Sequence, residues 1–76
     1  MWNEVDSCLK ELIMAQKNEL LSTGRRIVPE VTADDLLQPN DFPDLENHPE
    51  FRYEEGVLAG METVRYALRA LEKELV

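Results

Sequence analysis

The chain has 76 residues, a single cysteine and a formal net charge of −8. That length admits one domain with a thin core, one thiol excludes a disulfide framework, and a partner subunit becomes the leading source of added stability. The longest apolar run, around Val57 to Met61, is far below the roughly 18 residues of a membrane span, and the lone thiol without a hydrophobic leader stretch predicts a reducing, cytoplasmic setting.

Residues 3–22 predict a first helix. Asn3 is placed as its cap, with Asp6 in the first turn where the helix dipole favours a carboxylate. Val5, Leu9, Leu12, Ile13, Gln16 and Leu20 fall on one face. Trp2 precedes the cap and is placed to staple the first turn, and Gly24 is the expected stop.

A proline-punctuated connector follows over residues 24–47, with Pro29, Pro39 and Pro43. Loops this long are unusual inside a compact domain unless they are anchored. Ile27, Val28, Val31, Leu36, Leu37, Phe42 and Leu45 supply anchors, which predicts a strap lying across the helices with a short turn capped by Thr32. The strap is also acidic. Ten acids stand against Arg52 alone between Glu30 and Glu62, a balance that repels a phosphate backbone and predicts no nucleic-acid partner. A protein partner suits that charge better.

The second helix is predicted over residues 48–75. Asn47 with Glu50 has capping-box spacing, and Pro49 suits a first turn. Val57, Met61, Val64, Leu68, Leu71 and Leu75 then recur at alternating spacings of four and three, as a helical seam requires. Gly56, Gly60, Thr63, Ala67 and Ala70 form a stripe of small residues beside it. Glu62 with Arg65, and Arg69 with Glu72, are spaced for surface pairs.

These elements predict an all-α fold over residues 1–76, a helical hairpin with a long irregular connector. Two helices share one interface, so pairing of hairpins into a four-helix bundle is expected, as a homodimer or higher homo-oligomer. The expected interface comprises Val57, Gly60, Met61, Val64, Ala67, Leu68, Leu71 and Leu75.

Catalytic chemistry has little to stand on. Cys8 has no base beside it in the sequence and falls mid-helix next to Leu9 and Leu12, which predicts a small buried or half-buried residue. His48, Glu50 and Glu54 are the candidates for a divalent cation, because Glu50 and Glu54 share the register of the seam and His48 lies near. The Glu-x-x-His pattern of a di-metal bundle is missing, and the stretch from Asp34 to Glu46 lacks the glycine-centred alternation of a calcium loop. The expectation is therefore no metal and no cofactor. Arg25 and Arg26 suit the C-terminal end of the first helix and pairing with the acidic strap. The function expected is a non-catalytic protein–protein interaction or oligomerisation module. The alternatives are a ligand or cation binder using the acidic segment, and an enzyme with a site shared between subunits.

Overall fold

A computed structural model describes residues 1–75. They form an all-helical structure of two long helices, α1 (Trp2–Ile27) and α3 (Pro49–Leu75), joined by a connector that holds one turn of α-helix, α2 (Pro43–Glu46), and two 3-10 turns at Asp35–Leu37 and Pro39–Asp41. Arg26 meets Glu50, Gln16 meets Glu54 and Asp6 meets Arg65. Each step back along α1 is thus a step forward along α3, and the two helices run in opposite directions along a body of 45 × 19 × 17 Å.

Both helix starts differ from expectation. The N-cap of α1 is Met1, without a side-chain cap, and Asn3 lies inside the first turn. Asn47 does not cap α3, which starts at Pro49; it is the C-cap residue of α2, and its side-chain NH2 donates to the Pro43 carbonyl (3.0 Å). Pro49 takes the first position of α3, where its missing N–H costs nothing.

Gly24 does not stop α1, which continues to Ile27. No glycine among the described residues has positive φ, so Gly24 is used for its lack of a side chain. A Cβ there would lie 3.3 Å from Leu36 Cδ2, 3.4 Å from Val31 Cγ1 and 3.6 Å from Phe51 Cε2. The strap and Phe51 thus close to contact distance around that position, leaving a Cβ only a tight fit. Close approach of these three side chains offsets the roughly 1 kcal/mol that glycine costs inside a helix.

The core sits at the connector end. Leu20, Val28, Val31, Leu45 and Phe51 form one buried cluster, with Leu21, Ile27, Leu36, Phe42 and Leu58 packed against it. Leu45 and Phe51 are fully enclosed. The connector is therefore a structural layer. Its turns satisfy their own polar groups, as where the Thr32 N–H donates to Asp35 Oδ2 (2.9 Å) and the Asp35 N–H to Thr32 Oγ1 (3.3 Å). Arg25 Nε donates to the Val31 carbonyl (3.1 Å) and ties the strap to the end of α1. Away from this end, burial thins until only Ile13 is enclosed on the outer half of α1.

Candidate interaction surface

Polar contacts fix how α3 is turned toward α1. Gln16, an interruption in the apolar pattern, lies between the helices, where its amide donates to the Glu54 carboxylate (2.6 Å) and to the Glu54 carbonyl (3.0 Å). Arg65 does not pair outward with Glu62. It reaches across to Asp6, with Nε to Oδ1 at 2.8 Å and Nη2 to Oδ2 at 3.3 Å. This fork-to-fork geometry is the strongest kind of surface pair. The hydrogen bond from Arg65 holds the Asp6 carboxyl below the usual carboxylate range, with a smaller contribution from Lys10, and Asp6 raises Arg65 in return. Nothing in the spacing of either helix announces this pair, since its members are 59 residues apart.

The cation candidates are dispersed among other duties. Glu50 pairs with Arg26, whose guanidinium also donates to Thr23 Oγ1. Glu54 accepts from Gln16. His48 Nδ1 is buried without a hydrogen-bond partner. Among the described residues no three His, Cys, Asp or Glu side chains converge as a metal site would require. Cys8 is exposed, against the expectation of burial. Of the two aromatics in the first turns of α3, Phe51 is enclosed with Val31 and Leu45 of the strap and Tyr53 stands in solvent.

The contacts place the α1-facing line of α3 along Phe51, Glu54, Leu58 and Arg65. At 100° per residue, Val57, Val64, Leu71 and Leu75 are displaced from that line by roughly a quarter turn. The sequence seam is therefore not the contact line of the two helices. Met61 and Leu68 lie between and are half-buried, whereas Val64, Leu71 and Leu75 are exposed, as are Gly60 and Ala67. Apart from the neighbouring turns of α3's own backbone, no atom of the described residues lies within 4 Å of where a Cβ at Gly56 or Gly60 would stand. On α1 the same rotation sets Val5, Cys8 and Leu12 to one side of the line through Ile13, Gln16 and Leu20.

Because the helices are antiparallel, these two displaced stripes fall on the same side of the pair. An open groove of about 350 Å³ lined by Glu4, Val5, Cys8, Leu9 and Leu68 spans both helices there. The strap lies on the opposite side, where Leu36 and Leu37 meet Lys17, Leu20 and Leu58 around a groove of about 240 Å³. One side of the helix pair is covered and the other is apolar and open. Comparison with family models, with curated proteins and with solved structures finds no match. Among the described residues no helix is long and apolar enough to cross a membrane.

Proposed function

We propose that this chain is a non-catalytic protein–protein interaction module of the cytoplasm that self-associates, two helical hairpins pairing through their open apolar sides into a four-helix bundle. One observation carries the reading. Leu12, Val64 and Leu71 stand 49%, 50% and 41% exposed on a side where α3 places no ionised side chain from Val57 to Leu75. Exposed patches of this kind mark association surfaces, and bundle cores are built from such stripes. The small side chains at Gly60 and Ala67 leave room for a neighbouring helix to come near. The lone cysteine supports the cytoplasmic setting.

The acids support the reading from the other direction. Those on the strap lie opposite the open groove, which Glu4 alone of the acids lines, and there they keep an association-prone surface from spreading into aggregation. Light scattering at micromolar concentration tests the proposal, with the wild type expected at twice the 8.8 kDa chain mass. Val64→Glu introduces a charge into the centre of the open side without touching the buried cluster, and it is expected to give a folded single copy. A wild type at one chain mass, or a Val64→Glu variant that associates as the wild type does, overturns it.

A further inference from the structure

We draw no further inference here: the strongest candidate, the apolar groove that the strap forms with α1 and α3 beside Leu20, Leu37 and Leu58, carries one cation, Lys17, and one anion, Asp34, on its walls, so its charge favours no class of occupant and nothing in the structure shows what covers it.

Discussion

Asp6 and Arg65 show how one residue pair sets the register of two helices. With its folded pKa depressed by the Arg65 hydrogen bond, Asp6 contributes stability that is fully present above its unfolded value of about 3.9 and is lost as pH falls through the lower folded value. Asp6→Asn is therefore expected to lower the melting temperature at neutral pH, with a deficit that holds to about pH 5 and shrinks toward zero below about pH 4. Thermal melts of both proteins across pH 3–7 check this, and a deficit that persists at acid pH would assign the loss to something other than the ion pair. The glycines give a contrast at the same scale. Gly56→Ala and Gly60→Ala meet open space in a single copy, so each is expected to stabilise the helix by about 0.5–1 kcal/mol. If Gly60 serves close approach of a second copy, Gly60→Ala raises the chain's resistance to urea while weakening its association, and Gly56→Ala, farther round the helix, affects association less. Parallel urea titrations and sedimentation profiles separate the two effects.

At the scale of elements, the connector is the part whose role the sequence indicates best and whose form it indicates least. Its apolar residues predict anchoring, and Val31 and Leu45 are buried members of the main cluster. Its three short turns depend on tertiary placement, and Asn47 illustrates why: its capping spacing with Glu50 is genuine, yet it ends α2, its side-chain NH2 donates to the Pro43 carbonyl, and α3 starts only at Pro49. Gly24 reads as a stop from composition alone, and only the approach of Leu36 and Phe51 reveals it as a contact. The seam in α3 is legible from periodicity. Which side of α3 meets α1 is not, because Gln16–Glu54 and Asp6–Arg65 join residues 38 and 59 positions apart. The exposure of Cys8 follows from the same quarter turn. Since the connector completes the core, Leu45→Ala is expected to cost about 2–5 kcal/mol and Phe51→Ala about 3–5 kcal/mol. Either exceeds a large part of the stability of so small a domain. Circular dichroism should show both variants largely unfolded at 37 °C, and a native-like melt for Phe51→Ala would place the core elsewhere.

For the whole molecule, the division of surfaces is the main result. One side of the helix pair is closed by the strap, the acids gather at the connector end, and the remaining side offers Val5, Leu12, Val64, Leu68 and Leu71 to solvent. Six buried apolar residues among those described leave little to set against the entropy of ordering the helices, so under the proposed self-association the outer halves of α1 and α3 gain most from a second copy. Folding and association should then be linked by mass action, and the melting temperature should rise with protein concentration. Melting the wild type and Val64→Glu across a hundredfold concentration range tests this most directly. The expected result is a midpoint that climbs with concentration for the wild type and stays fixed, at a lower value, for Val64→Glu. A single cooperative transition at one concentration-independent temperature in both proteins would contradict it.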